Sequence, residues 1–346
     1  MNPLGYFVMV VWVPIVLYLF SRLPVQRALI VSFLAGWLFL PEASIPLAGI
    51  PDINKVSLTC YGILIATALF DFQRFREFRM HWVDAPMLVW CLCPAVSSLT
   101  NGLGPYDGFA SALAQTVTWG FPYFLGRLYL GSFRGLQQLA IAIVLGGLIY
   151  IPLCLFEIRM SPQLHFWLYG FYPQSFDQAI RYGGFRPIVF MQHGLMVGVW
   201  MMTATLLAFG FWRIGALAGL LQQFVQGIGD RSQRTTGQTV APEGLVGPSL
   251  GIFLGLLATF VLVKSTGAYF LLALGIVLFL TMRWSRTALP LLLIVGVMCA
   301  YLGFASGGGM TPQAMEQISA TATQLTTADR AASLTFRLKN EALLSA

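Results

Sequence analysis

Residues 137–157 read QQLAIAIVLGGLIYIPLCLFE, a nearly uninterrupted apolar run that closes on a single acidic residue. About 20 consecutive apolar residues in a helix are enough to cross the hydrocarbon core of a bilayer. The run therefore predicts a transmembrane helix, and it decides the class of fold to which the chain belongs.

The composition of the whole chain agrees with this segment. Of the 346 residues, 57% are hydrophobic and only 10% are charged, whereas roughly 25% are charged in an ordinary soluble domain. A soluble protein of this length cannot cover so much apolar surface. The composition thus excludes a cytosolic enzyme, a disulfide scaffold and a disordered chain.

Ten apolar segments predict an all-α fold, a polytopic transmembrane helical bundle of about ten spans. They cover residues 4–21, 28–41, 56–71, 85–100, 110–128, 137–157, 187–212, 248–263, 266–283 and 288–306. With the N-terminus outside, the inside connections hold 12 of the 20 basic residues, as the positive-inside rule requires. Six of the other eight gather in two exterior loops, and this local excess predicts that both loops are functional.

These loops divide the chain into four parts. We predict N-terminal transmembrane helices over 1–157, an exterior loop rich in aromatic and arginine residues over 158–186, and C-terminal transmembrane helices over 187–306. The last part, 307–346, is the start of a large exterior loop. A cytoplasmic loop, 214–247, lies within the third part, where an amphipathic stretch predicts a surface helix followed by a flexible, polar segment.

The most distinctive local pattern is RYGGFRPIVFMQHG, from Arg181 to Gly194. Since Pro187 suits the first turn of a helix, the pattern places Arg186 at an exterior helix N-terminus. A guanidinium and free backbone N–H groups can share a phosphate or diphosphate there, with Arg181 nearby. His193 is expected on nearly the same helical face. The alternative is that the arginines contact lipid headgroups and that His193 is a buried polar residue bonded to a neighbouring helix.

Two further places hold candidate anion-binding residues. Arg330 and Arg337 share a helical face in the last segment and could grip an anionic ligand, or they form a solvated face with an Arg337–Glu341 pair. Lys264 opens a tight exterior turn and either meets lipid phosphate or marks the end of a span. The chain has no Walker-type loop, no HExxH and no Cys/His cluster. We therefore predict no metal, no cofactor and no nucleic-acid partner.

The order of three motifs resembles the O-antigen ligase and O-antigen polymerase superfamily of bacterial inner-membrane proteins. The first runs from Gly184-Phe185-Arg186 to His193-Gly194, the second is Ser265-Thr266-Gly267-Ala268, and the third is Ser333-Leu-Thr-Phe-Arg337-Leu-Lys-Asn-Glu341. The resemblance covers residues 160–346 by motif and the rest by hydropathy. The family usually shows Ser-Arg-Gly where this chain has Ser265-Thr266-Gly267, and Lys264 is the candidate substitute for that arginine.

This resemblance implies a metal-independent glycosyltransferase in the bacterial inner membrane, with its active face in the periplasm. Its donor is a glycan on undecaprenyl diphosphate, and its acceptor is a lipid A core or a growing polysaccharide. Arg186 and Arg337 are the residues that match the diphosphate-binding arginines. The family continues to a catalytic histidine and about two more spans, so we expect a sequence truncated after Ala346, with His193 as the remaining candidate base.

Two other functions fit the same features. Exterior arginines that bind a lipid diphosphate are also expected in a flippase or transporter for lipid-linked glycans, although such a protein needs a continuous polar pathway. A structural membrane subunit would use the arginines for headgroups alone. The sequence leaves ligase and polymerase undistinguished, because both share the same donor chemistry.

Overall fold

The computed structural model describes residues 1–47, 50–181, 183–229 and 246–306. Its helices are α1 (Pro3–Arg22), α2 (Val25–Phe39), α3 (Lys55–Phe70), α4 (Gln73–Glu77), α5 (Ala85–Thr100), α6 (Pro105–Gln115), α7 (Phe121–Tyr129), α8 (Phe133–Met160), α9 (Leu164–Tyr169), α10 (Gly194–Arg213), α11 (Leu217–Gly229), α12 (Val246–Leu262), α13 (Thr266–Ser285) and α14 (Leu289–Ser306). The predicted all-α class is confirmed, and each of the ten predicted apolar segments overlaps at least one helix, although 110–128 covers parts of both α6 and α7. The predicted surface helix corresponds to α11. Most of the polar segment after it, 230–245, lies outside the described residues, as does 307–346, which is predicted to be the start of an exterior loop.

Two short hairpins, which the sequence pattern did not predict, lie in connections between helices. Strand β1 (Ser44–Leu47) pairs antiparallel with β2 (Ile50–Asn54), and β3 (Ile180–Arg181) pairs antiparallel with β4 (Gly184–Phe185). Gly183 takes a left-handed backbone conformation, with a φ of 68°, in the turn between β3 and β4. Because both hairpins are confined to connections, the helical class is unchanged.

Five of the described helical segments are long and apolar enough to cross a membrane, judged by length and composition. They are Pro3–Arg22, Trp82–Thr100, Phe133–Met160, Gly194–Arg213 and Thr266–Ser285. The apolar helices Val25–Phe39, Lys55–Phe70, Ser249–Leu262 and Leu289–Phe304 are shorter. Large apolar side chains are widely exposed along these helices, as expected of a protein whose surrounding solvent is lipid.

Small residues set the spacing of the helices around α8. A Cβ added at Gly146 would lie 2.7 Å from the ring of Trp200, and one added at Gly147 would lie 2.5 Å from Cβ of Ala204. Both of those partners belong to α10, so the two glycines let α8 and α10 approach closely. Trp12 of α1 adds a polar contact elsewhere in the bundle, donating to the hydroxyl of Thr59 in α3 over 2.9 Å.

The end of α2 is tied to three other parts of the chain. The last carbonyls of a helix have no partner within that helix. Here the carbonyl of Trp37 accepts from Nζ of Lys55 at 3.0 Å, and those of residues 38 and 39 accept from the hydroxyls of Tyr150 and Tyr169. These bonds join the end of α2 to the second half of α8, the end of α9 and the start of α3, next to the candidate site.

The chain divides into two compact units, Met1–Ala273 and Leu274–Ala346. The first unit holds α1 to α12 and the start of α13, and it contains every contact discussed below. The described part of the second unit comprises the end of α13 and α14, both apolar.

Candidate functional site

The connection before α10 differs from its prediction. The sequence pattern predicts one helix over 187–212, and its predicted start is wrong, because α10 begins at Gly194 with His193 as its N-cap. Val189 has a φ of 53°, a left-handed conformation that a β-branched residue rarely adopts and that a right-handed helix excludes. Residues 186–193 therefore form an irregular segment. Arg186 lies at the start of this segment, before α10 begins, so it shares no helical face with His193.

Glu157, near the end of α8, holds this segment in place. Its side chain is fully buried. Oε2 accepts hydrogen bonds from the backbone N–H groups of Ile188 and Val189, both at 2.7 Å, and Oε1 accepts from that of Leu164 at 3.0 Å. Buried backbone N–H groups need acceptors, and a carboxylate offers two oxygens for several donors. The segment can thus leave the helical conformation and remain buried.

Lys55, the first residue of α3, contacts the same segment. Its Nζ donates to the carbonyl of Phe190 at 3.5 Å and forms an ion pair with Glu42. The lysine side chain is only 4% exposed. A buried cation is tolerated when an opposite charge and hydrogen-bond acceptors surround it, so Lys55 and Glu157 hold the segment through its carbonyl and N–H groups respectively.

Arg186 is buried at the start of this segment, with 7% of its surface exposed. Its backbone N–H donates to the carbonyl of Ala179 at 2.7 Å, and its Nη2 donates to Oγ of Ser265 at 3.0 Å. A Cβ added at Gly194 would lie 2.8 Å from Cδ of Arg186. The arginine stem is therefore seated against the first turn of α10, and its direction is set by Ser265.

The turn between α12 and α13 provides the second side of the site. Lys264 has a φ of 56°, and its Nζ donates to the carbonyl of Arg181 at 3.4 Å. The lysine ammonium also packs over the α-carbon of Gly184, where any added Cβ would clash. This contact brings the turn against the hairpin formed by β3 and β4.

His193 lies at the edge of the site and has defined roles for both ring nitrogens. Its Nδ1 accepts the backbone N–H of Leu195 at 3.0 Å, so Nε2 carries the proton and donates to Oε1 of Gln178 at 3.1 Å. Partial burial lowers the pKa of His193 below its ordinary value, and the positive charges of Arg186 and Arg181 lower it further. At neutral pH the imidazole is therefore uncharged.

The structure thus brings four of the six candidate residues to one place. We call Arg181, Arg186, His193 and Lys264 the basic cluster. The other two candidates, Arg330 and Arg337, lie outside the described residues. Two separate stretches of sequence contribute: the β3–β4 hairpin with the 186–193 segment that follows it directly, and the turn before α13.

Three residues that organise this site, Glu157, Lys55 and Gln178, are not among the residues predicted from the sequence. Ser265 is part of the second motif, but the sequence assigns it no contact with Arg186. A signal was present for Glu157, because an ionisable residue at the end of an apolar span is a functional candidate by default. Two of the three partners of Glu157, the N–H groups of Ile188 and Val189, lie 31 and 32 residues later in the chain. No local pattern connects them.

His165 belongs to the aromatic loop and is a separate, structural histidine. It is 2% exposed, and its Nδ1 donates to the carbonyl of Phe171 at 2.9 Å while Nε2 accepts the N–H of Glu42 at 3.2 Å. Burial lowers the pKa of His165 to about 4, and the charge of Lys55 acts in the same direction. His165 therefore remains neutral and links the loop to the connection after α2.

Within the described ranges, no group of three or more His, Cys, Asp or Glu side chains is placed to hold a metal ion. No protein-family model, no curated protein and no solved structure matches this chain.

Proposed function

We propose that this protein transfers a glycan from an undecaprenyl-diphosphate-linked donor to an acceptor, either a lipid A core or a growing polysaccharide. In this proposal it is a metal-independent glycosyltransferase of the O-antigen ligase and polymerase type. It crosses the bacterial inner membrane with about ten spans, and the basic cluster faces the periplasm.

The observation that carries the proposal is the burial of Arg186 beside Ser265, with Lys264 and Arg181 next to it. A planar guanidinium offers paired N–H donors that match the oxygens of a phosphate. Fixed positive groups in a partly buried site stabilise a developing negative charge more strongly than they would in water. Such an arrangement suits a diphosphate, and in the proposal Arg330 and Arg337 add further contacts to it.

The chemical step needs a leaving group, a nucleophile and a base. The oxygen of an acceptor hydroxyl attacks the anomeric carbon of the donor and forms a new C–O bond. The bond between that carbon and the diphosphate oxygen breaks, and its electron pair stays on the diphosphate, where the basic cluster neutralises the charge. The hydroxyl proton passes to the base, for which His193 is the candidate in this chain.

The hydrogen bonds that His193 already makes constrain its role as the base. Nδ1 is occupied by the N–H of Leu195, and Nε2 carries a proton directed at Gln178. To accept a proton, Nδ1 has to release Leu195. In the resting arrangement His193 instead offers Nε2–H to a substrate oxygen in place of Gln178. The base assignment therefore includes a local rearrangement at the start of α10.

The test uses the full chain in liposomes, with an undecaprenyl-diphosphate oligosaccharide as donor. We expect Arg186→Ala to abolish donor binding and transfer, and Arg186→Lys to restore only part of the binding, because an ammonium lacks the paired donors. Arg159→Ala is the matched control, since Arg159 is exposed at the end of α8 and lies outside the basic cluster. Wild-type transfer by Arg186→Ala would reject the proposal.

The same preparation separates transfer from translocation. A transferase forms a new glycosidic bond, which mass spectrometry of the acceptor detects. If donor lipid instead crosses the vesicle membrane and no glycosidic bond forms with any acceptor, the transporter alternative replaces our proposal.

A further inference from the structure

A polar cavity of about 220 Å³ lies at the end of the bundle away from the basic cluster. It is lined by the arginines Arg74, Arg79 and Arg127 and by a single carboxylate, that of Glu77. Gln26 at the start of α2 donates to the carbonyl of residue 129, just beyond Arg127. The start of α2 therefore marks this end of the bundle, and the end of α2 lies about 22 Å away, at the candidate site.

The three arginines differ in what they already bind. Arg127 forms two hydrogen bonds to the buried carboxylate of Asp84, at 2.8 and 3.2 Å. Arg74 contacts Asp71 at 3.3 Å. Among the described residues, no acidic side chain lies within ion-pair distance of Arg79. Arg79 is exposed, so its charge is available to a ligand in the polar cavity.

A second cavity, of about 440 Å³, adjoins the first. Phe78 lines both of them, and Asp84 and Tyr123, which line the second, belong to the same hydrogen-bonded group as Arg127. Its remaining lining is almost entirely apolar. Leu88, Leu92 and Met80 line it and are 43%, 59% and 65% exposed, so the cavity opens sideways on the apolar face of α5. A volume of this size is typical of small-molecule sites.

The wall of this cavity includes an irregular turn. Residues Thr116–Gly120 form a π-helical turn between α6 and α7, and both Thr116 and Gly120 line the cavity. Turns of this kind inside α-helices are rare and are frequently found at functional sites. Gly120 packs closely against Cys91, which also lines the cavity: an added Cβ would lie 3.1 Å from its sulfur.

We propose that the two cavities together form a binding site for one anionic phospholipid. The phosphate headgroup lies in the polar cavity against Arg79, and an acyl chain lies in the apolar cavity beside α5. Charge and shape both favour this occupant, because a basic pocket continuous with a lateral apolar cleft matches the two halves of such a lipid. Basic pockets between transmembrane helices bind anionic headgroups in this way.

The test is lipid retention by the purified full chain, measured by native mass spectrometry after exchange into equal amounts of phosphatidylglycerol and phosphatidylcholine. We expect preferential retention of phosphatidylglycerol. Arg79→Glu should reduce that retention on the order of tenfold, since attraction becomes repulsion. Arg76→Glu is the matched control, because Arg76 lies in the neighbouring helix α4, is exposed and lines neither cavity.

A second pair of variants tests the apolar cavity independently of charge. Leu88→Trp fills the cavity and should lower retention of the anionic lipid. Val89→Trp, at the next and more exposed position, adds the same side chain outside the lining. Equal retention of both lipids by the wild type, or equal losses in Arg79→Glu and Arg76→Glu, would overturn the proposal. Complete displacement of phosphatidylglycerol by inorganic phosphate alone would also overturn the proposal, because the apolar cavity would then contribute nothing to lipid binding.

Discussion

Nη2 of Arg186 donates a hydrogen bond of 3.0 Å to Oγ of Ser265. The two residues are 79 positions apart, and each belongs to a connection rather than to the interior of a helix. The bond joins the irregular segment before α10 to the turn before α13. It therefore fixes the guanidinium on which the proposed diphosphate contact depends.

Replacing Ser265 by alanine removes the acceptor and keeps the backbone. A hydrogen bond to a charged group is worth about 1.5–3 kcal/mol, and water can partly replace it at this site. We expect Ser265→Ala to weaken donor binding by roughly tenfold, measured by titration of the donor lipid. Ser285→Ala, at the far end of α13, serves as the control and should leave binding unchanged.

Gly198 of α10 lies against Ser265, and an added Cβ would approach both Cβ and Oγ of the serine to 2.6 Å. Gly198→Ala should therefore displace the turn and lower the melting temperature in detergent, together with donor binding. Gly267→Ala provides the comparison, because no heavy atom lies within 4 Å of its added Cβ. Alanine is the better helix former, so Gly267→Ala should preserve or slightly raise stability. Equal melting temperatures for the two variants would contradict this packing.

Glu157 supplies the acceptors for three buried backbone N–H groups. Glu157→Ala leaves all three without a partner, and each such group costs about 1–3 kcal/mol. We expect a large loss of thermal stability and of donor binding. Glu157→Gln keeps one oxygen and should be intermediate. Glu77→Gln, on the exposed helix α4, should change neither quantity, and a similar effect there would show that the loss is not specific to the 186–193 segment.

His193 can be separated into a capping role and a catalytic role. Asparagine is a good N-cap residue, whereas alanine is a poor one, and loss of a cap costs about 0.5–2 kcal/mol. We expect His193→Asn to keep the melting temperature but lose transfer, and His193→Ala to lose both. If His193→Asn transferred glycan at the wild-type rate, His193 would act only as a cap.

His165 makes the stability of the protein depend on pH. Its folded-state pKa of about 4 lies below its ordinary value, so the unfolded chain binds the proton more readily. The stabilising contribution is complete above the ordinary pKa and is lost progressively as the pH falls towards 4. We expect the melting temperature to fall over this range, measured in detergent. In His165→Gln this decline should be smaller, and an unchanged decline would assign it to other groups.

The parts of the fold that are predicted correctly are those that depend on interactions within one segment of the chain. The helix predicted over 85–100 corresponds to α5 (Ala85–Thr100), and that predicted over 266–283 corresponds to α13 (Thr266–Ser285). Apolar runs of this length form helices because backbone hydrogen bonds are satisfied within each segment. The two hairpins were missed, because their strands are as short as two residues and carry no alternating pattern.

The candidate site was predicted in part. Local charge predicts Arg181, Arg186 and Lys264, the spacing to Arg186 predicts His193, and the structure places the four residues together. The arrangement that connects them was predicted wrongly at one point, since Pro187 suggested the start of a helix. Pro187 is compatible with a first helical turn, but the N–H groups of the next two residues are bound by a distant carboxylate instead.

Composition and hydropathy are enough to predict that this protein is helical and apolar, where most of its helices lie, and which connections carry excess positive charge. Tertiary contacts alone keep residues 186–193 out of the helix and direct Arg186 to Ser265. Hydrophobic length and charge are properties of a local segment. The conformation of a buried connection depends instead on hydrogen-bond partners, Glu157 and Lys55, that lie far away in the chain.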